Sequence, residues 1–117
     1  MAKYETNLIG NFDELLNELD LGIISRSQTA SFEAASNYYA NGVRCSVRVY
    51  ERYSVFGSNR LSMTISLFGY GRELFVSAIS SGGSQAMFFK INTLGEEAFL
   101  KHAVDVIEAY IASHRQS

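Results

Sequence analysis

Two neighbouring stretches, 43–52 and 60–68, alternate apolar and polar side chains with a period of two residues. A strand with one buried side and one solvent-facing side produces this pattern. The segment between them contains Gly57, Ser58 and Asn59, which favour a turn. The alternation therefore predicts a long antiparallel hairpin. Its inward side is predicted to consist of Val43, Cys45, Val47, Val49, Leu61, Met63, Ile65 and Leu67.

Helical spacing of apolar residues appears once before this hairpin and once after it. Asn11 is placed to cap a first helix, because Glu14 follows at the position of a capping box. Its apolar stripe is predicted to consist of Phe12, Leu15, Leu16, Leu19 and Ile23, and the helix is predicted to end near Gly22, a residue that often terminates helices. A broad apolar stripe towards the C-terminus predicts a longer helix, capped by Thr93, which lies across the inward face of the sheet.

Further strands are predicted on both sides of the hairpin, at Lys3–Ile9, Ser25–Ser36, Glu73–Ser80 and Gln85–Ile91. The strand 73–80 is apolar on both faces, with Leu74, Val76 and Ala78 on one and Phe75 and Ile79 on the other, and so needs cover on both sides. Asn41-Gly42 is the strongest turn signal in the chain. The predicted fold class is α+β: an antiparallel β-meander of four to five strands, with a short N-terminal helix and a long C-terminal helix packed on one face.

Length and composition bound the class of protein. The chain has 117 residues, 47% of them hydrophobic and 19% charged, which is typical of one globular domain covering 1–117. The net charge of -2 argues against a general nucleic-acid binder. A single cysteine excludes an internal disulfide and favours a reducing compartment. We find no apolar run of the length that a signal peptide or a membrane span needs, and we therefore expect a cytoplasmic protein.

Three segments carry a resemblance to a known family: G-N-F-D-E-L-L, R-C-S-V-R-V-Y-E-R-Y and S-S-G-G-S-Q-A-M-F-F-K-I-N-T-L-G-E-E-A-F-L. Together they resemble a family of small uncharacterised proteins of Gram-positive bacteria, a domain of unknown function. The resemblance implies a bacterial, intracellular source and brings no activity, ligand or catalytic residue. The strand order is also similar to a reduced helix-grip fold, which is a topological likeness only.

The arginines of the hairpin form the most suggestive group. Arg44, Arg48 and Arg52 share the outward side of the first arm, and their forked donors suit an anion or an acidic partner. Residues four apart on a strand are ~13 Å apart, so these arginines suit a groove better than one small anion. A solvated face with partners such as Glu33 or Glu73 is the simpler interpretation. The candidate interaction face consists of Arg44, Arg48, Tyr50, Arg52, Arg60 and Phe68.

Catalytic and metal-binding patterns are weak in this sequence. His102 and His114 are twelve residues apart on one predicted helix, or ~18 Å, too far to share a metal. Cys45 has the inward parity and is interpreted as an inert core thiol. The glycine-rich loop at 80–85 lacks the G-K-[ST] of a phosphate loop and is interpreted as a turn. We therefore predict no catalytic residue, no metal and no cofactor.

The sequence favours a non-catalytic binding or interaction module that self-associates through its sheet as a homodimer, because aromatic residues exceed what one core face needs. The first alternative is a small-molecule carrier, with a pocket between the sheet and the C-terminal helix lined by Met63, Phe75 and Phe99. The second alternative is an enzyme of unknown class. A small-molecule or protein partner stays open, whereas a membrane or nucleic-acid partner is not expected.

Overall fold

The alternating stretches of the chain form a five-stranded antiparallel sheet in the computed structural model, which describes residues 1–27, 29–54, 59–82 and 89–114. The strands lie in the order β1-β5-β4-β3-β2. With two helices, this arrangement confirms the predicted α+β class. The elements are β1 (Ala2–Ile9), α1 (Phe12–Ser25), β2 (Ala30–Ala40), β3 (Val43–Ser54), β4 (Asn59–Tyr70), β5 (Glu73–Gly82) and α2 (Phe89–Ser113).

Two tight turns connect the strands of the hairpins β2–β3 and β4–β5. Asn41 and Gly42 both adopt positive φ, at 53° and 79°, as a two-residue turn of this type requires. Gly71 has φ 59° and opens the second turn. Because Asn41-Gly42 alone reverses the chain, the preceding residues stay in β2. The strand predicted at Ser25–Ser36 therefore lies later, at Ala30–Ala40.

Helix α1 begins as its capping signal predicts. The Asn11 side chain accepts a hydrogen bond from the Glu14 backbone N–H at 2.9 Å. The Asn11 N–H donates in turn to the hydroxyl oxygen of Tyr110 on α2, at 2.8 Å. The helix is predicted to end near Gly22 but continues to Ser25. A Cβ at Gly22 would lie 2.4 Å from Val106 Cγ2, so this glycine allows α1 and α2 to approach closely.

Helix α2 begins earlier than its sequence predicts. It includes Phe89–Ser113, so Thr93 lies inside the helix and is not its cap. The strand predicted at Gln85–Ile91 is wrong for its last three residues, which are helical, and its remainder lies outside the described residues. The predicted glycine-rich turn lies partly at the end of β5, and its other residues fall outside the described part of the chain, as does the loop 55–58.

The strand register divides the sheet into two chemically different faces. Odd positions of β3 pair with even positions of β4, as in Val47 with Ser66, and even positions of β3 pair with odd positions of β4, as in Tyr50 with Met63. Both helices pack on one side, called here the covered face, and the opposite side is called the open face. The inward prediction for β4 is confirmed, because four of its side chains are fully buried under the helices: Leu61, Met63, Ile65 and Leu67.

The inward prediction for β3 is wrong. Its partners in β4 place Val43, Cys45, Val47 and Val49 on the open face. The covered side of β3 instead carries Arg44, Ser46, Arg48, Tyr50 and Arg52. Among these, Tyr50 and Ser46 are fully buried although both have the parity predicted to face water. One core joins the covered face to the apolar sides of α1 and α2.

Candidate functional site

Arg44 and Asp13 form an exposed ion pair at the start of α1. The two guanidinium nitrogens donate to the two carboxylate oxygens at 2.8 and 3.0 Å, which is the bidentate geometry that arginine favours. The guanidinium also lies 4.1 Å from the centre of the Phe12 ring. Its hydrogen bonds hold the pKa of Asp13 below its usual value. This arginine is therefore engaged within the chain.

Arg48, Asp20 and Tyr50 form a polar network between β3 and α1. Arg48 donates to Asp20 Oδ2 at 3.1 Å, and the Tyr50 hydroxyl donates to Asp20 Oδ1. Arg48 Nε also donates to the hydroxyl of Ser46, which donates to Asn37 on β2. Burial, and then the hydrogen bond to Asp20, raise the pKa of Tyr50. Without this network, the helices would bury these polar groups with no hydrogen-bond partners.

Arg52 has a different partner from the other arginines. Its Nη1 donates to Nε2 of His102 on α2 at 3.0 Å, and its guanidinium lies 5.5 Å from the centre of the Phe99 ring. Burial lowers the pKa of Arg52. Burial also lowers the pKa of His102, and the nearby positive charge of Arg52 lowers it further. Within the described residues, no carboxylate forms an ion pair with Arg52.

Arg60 and Phe68 lie on the open face, separate from the other four residues of the predicted interaction face. Arg60 pairs with Glu51 at 2.8 Å and lies 4.0 Å from Glu33, one of the partners expected from the sequence. The six predicted residues therefore do not form one surface. Four of them lie under the helices, and two belong to the open side of the sheet.

An aromatic row crosses the open face. Successive strands pair Tyr38 with Cys45, Cys45 with Phe68, and Phe68 with Phe75, so the four side chains stand side by side. The rings of Phe68 and Phe75 have centres 6.2 Å apart. Tyr38 and Phe68 remain 70% and 41% exposed, although they are large and hydrophobic. Cys45 is half-buried in this row and is not a core thiol, contrary to its predicted position.

The pocket predicted for a small-molecule carrier is not assembled from the expected residues. Met63 and Phe99 are fully buried in the core, whereas Phe75 lies on the opposite face. A surface depression of about 260 Å³ instead opens between α1 and β2. It is lined by Asp20, Ile24, Phe32, Arg48 and Tyr50.

The remaining candidates for chemistry lie apart. His102 contacts Arg52, whereas His114 stacks on the ring of Tyr110 with centres 3.8 Å apart. Within the described ranges, no three His, Cys, Asp or Glu side chains are grouped as a metal site would need. Among the same residues, no helix is long and apolar enough to cross a membrane.

Fold and site together define a small α+β protein whose antiparallel sheet is covered by helices on one face and, as far as the described residues extend, open on the other. The chain belongs to the family of unknown function DUF6054, which matches residues 1–111. This agrees with the resemblance that the three sequence segments carry. No curated protein and no solved structure matches the chain.

Proposed function

We propose that this protein is a non-catalytic interaction module that forms a homodimer by packing the open faces of two sheets. The observation that carries the proposal is the aromatic row. In a single protomer, the apolar surface of this row is in contact with water. Val43 and Tyr70 extend this surface beside the row and are 41% and 62% exposed. Large contiguous apolar patches of this kind are typical of interaction sites.

The charges of the open face lie around its margin. Glu51 and Arg60 pair with each other at one end, Glu73 stands at the other, and Lys3 and Glu5 lie on the edge strand β1. The central strands between these ends carry aliphatic, aromatic and hydroxyl side chains. A partner can therefore cover the centre of the face without burying an unpaired charge, which would be costly.

The size of the open face suits a stable dimer. Five strands at a spacing of about 4.8 Å and roughly ten residues at 3.3 Å each give a face of about 800 Å². This is close to the ~800 Å² that each partner contributes to a standard interface. Two such faces would pack about 10 Å apart, as the sheets of a sandwich do.

A second copy of this chain is the occupant that the residues favour. The row next to the aromatic row contains Ser66 and Ser77, and the following row contains Thr64 and Ile79. A two-fold axis through the serine row would place the aromatic row of one protomer over the threonine row of its partner. The aromatic rings would then lie over smaller hydroxyl and aliphatic side chains, which is how well-packed faces interdigitate. The proposal places this dimer in the cytoplasm of a Gram-positive bacterium, in line with the single cysteine and the sequence resemblance.

Light scattering of the wild type, Phe68→Glu and Leu21→Glu tests the proposal. Phe68→Glu puts a charge in the aromatic row, whereas Leu21→Glu makes the same change at an exposed apolar residue of α1. We expect a wild-type mass of twice the 13.0 kDa chain, a monomer for Phe68→Glu and a dimer for Leu21→Glu. Tyr50→Glu is unsuitable for this test, because Tyr50 is fully buried in the core.

A wild-type mass of 13.0 kDa at all protein concentrations would refute the homodimer. A dimer that persists in Phe68→Glu and dissociates in Leu21→Glu would place the interface on the helices. Circular dichroism of both variants verifies that the fold is intact, so that a loss of mass reports a loss of association.

A further inference from the structure

Three of the four arginines in the predicted interaction face are neutralised within the chain. Arg44, Arg48 and Arg60 each form an ion pair with a carboxylate. Arg52 lacks such a partner among the described residues, and its bond to His102 satisfies one of its five donors. The difference singles out Arg52, because a half-buried guanidinium is normally paired with an acid.

We propose that Arg52, together with His102, forms a binding site for a small oxyanion, either a phosphate or a carboxylate. The guanidinium presents planar donors that suit two oxygens of such an anion at once. His102 accepts from Arg52 at Nε2, so its proton resides on Nδ1, where it provides a further donor.

The charges around His102 leave this site positive. Arg52 on β3, Arg26 after α1 and Lys101 on α2 all act on His102 as positive charges. Asp105 is the acid that acts on it, and both of its oxygens already accept from Lys101, at 2.9 and 3.0 Å. The lowered pKa values of Arg52 and His102 agree with a partly desolvated site that lacks a counter-charge. A bound anion would provide that counter-charge and would raise the pKa of His102.

Proton NMR of the two histidine rings tests the site on the intact protein. His102 reports on the site, and His114, which directly follows the same helix, serves as an internal reference. Inorganic phosphate and acetate are titrated separately against sodium chloride at equal ionic strength. We expect a saturable shift of the His102 signals and a rise in the pKa of His102, with His114 unchanged. The anion with the lower midpoint identifies the preferred oxyanion.

Two variants provide the matched comparison. Arg52→Gln removes the unpaired charge, whereas Arg60→Gln removes an arginine that pairs with Glu51 on the open face. We expect binding to weaken about tenfold or more in Arg52→Gln, because a charge-assisted bidentate contact is lost, and to be unchanged in Arg60→Gln. Should Arg52→Gln fail to fold, Arg52→Lys is the second variant. It keeps the positive charge but loses the forked donors, and it is expected to weaken binding as well.

Equal, non-saturating shifts of both histidines would overturn the proposal, because they would show a general salt effect. Undiminished binding in Arg52→Gln would overturn it too. The outcome is independent of the proposed dimer, since Arg52 lies on the covered face and Phe68 on the open face.

Discussion

The covered and open faces of the sheet divide the hydrophobic and charged residues of β3 in an unexpected way. The covered face includes three arginines of β3, and it is nevertheless the face that the helices bury. The open face has an uncharged centre with three valines, yet no helix of the described chain packs on it. Burial on this sheet therefore depends on which side finds partners for its polar groups, and not on the hydrophobicity of one strand.

Helix α1 provides those partners. Asp13 pairs with Arg44, and Asp20 pairs with both Arg48 and Tyr50. The aliphatic parts of the arginine side chains contribute apolar surface, while their guanidinium groups reach the carboxylates. The covered positions of β4 and β5 then add buried apolar side chains to the core: Leu61, Met63, Ile65, Leu67, Leu74, Val76 and Ala78. No comparable element packs on the open face in the described part of the chain, and Tyr38 and Phe68 of its aromatic row stay exposed.

The largest expected effect comes from truncating neighbouring residues on the two faces. Leu67 is fully buried on the covered face, and Leu67→Ala should reduce the free energy of unfolding by about 2–5 kcal/mol. The next residue, Phe68, is half-exposed on the open face, and Phe68→Ala should cost about 1 kcal/mol or less. Urea unfolding at low protein concentration measures both. Equal losses would contradict the distinction between the faces.

A smaller effect is expected from the two acids of α1. Asp20→Asn leaves Arg48 without its ion pair and weakens the acceptor of the Tyr50 hydroxyl, so it should cost about 1–3 kcal/mol. Asp13→Asn breaks an exposed pair and should cost no more than about 1 kcal/mol. Thermal unfolding of the two variants measures the difference. If Asp13→Asn were the more damaging change, the polar network would not be what stabilises the covered face.

The smallest expected effect is a dependence on pH that arises on the covered face. The pKa of His102 is lowered from 6.5 in the folded protein, chiefly by burial. The unfolded chain therefore binds a proton at a higher pH than the folded chain does. The free energy of unfolding should then decrease as the pH falls below 6.5.

His102→Gln should flatten this part of the pH profile, and denaturant unfolding at several pH values measures it. An open-face variant such as Val47→Ala is the control and should leave the slope unchanged. A slope that persists without His102 would assign the effect to another group.

Much of the fold follows from the periodicity of the sequence. The five buried positions of α1 were all in its predicted apolar stripe: Phe12, Leu15, Leu16, Leu19 and Ile23. The predicted division of β5, with Leu74 and Val76 on the face opposite Phe75, is also confirmed. These predictions succeed because each depends on one element and its own period.

The face of β3 could not be predicted in this way, because it depends on register. A shift of one residue between β3 and β4 exchanges the two sides of a strand. The loop between β3 and β4 contains turn-forming residues, but its sequence does not determine the register in which the two strands pair. One further signal was available in α1. Asp13 and Asp20 are two helical turns apart, or ~10 Å, while Arg44 and Arg48 are ~13 Å apart on a strand. Matching those two spacings would have placed the arginines under the helix.

The contact between Arg52 and His102 could not be predicted from the sequence for a related reason. His102 lies 50 residues further along the chain, and its place beside β3 depends on how α2 crosses the sheet. Periodicity marks the apolar side of α2 but gives neither its position along the strands nor its angle to them. Contacts between distant elements of this kind require the assembled fold.

The hydrogen bond between Asn11 and Tyr110 has a consequence for synthesis on the ribosome. Its two residues are 99 positions apart, so the first helix cannot complete its N-terminal contacts until nearly all of the chain has emerged. Until then, the nascent sheet exposes the leucines of β4 as well as its aromatic row. Such surfaces are aggregation-prone, and contacts of high sequence separation form slowly. Chaperone binding to the nascent chain should therefore last until α2 has left the exit tunnel.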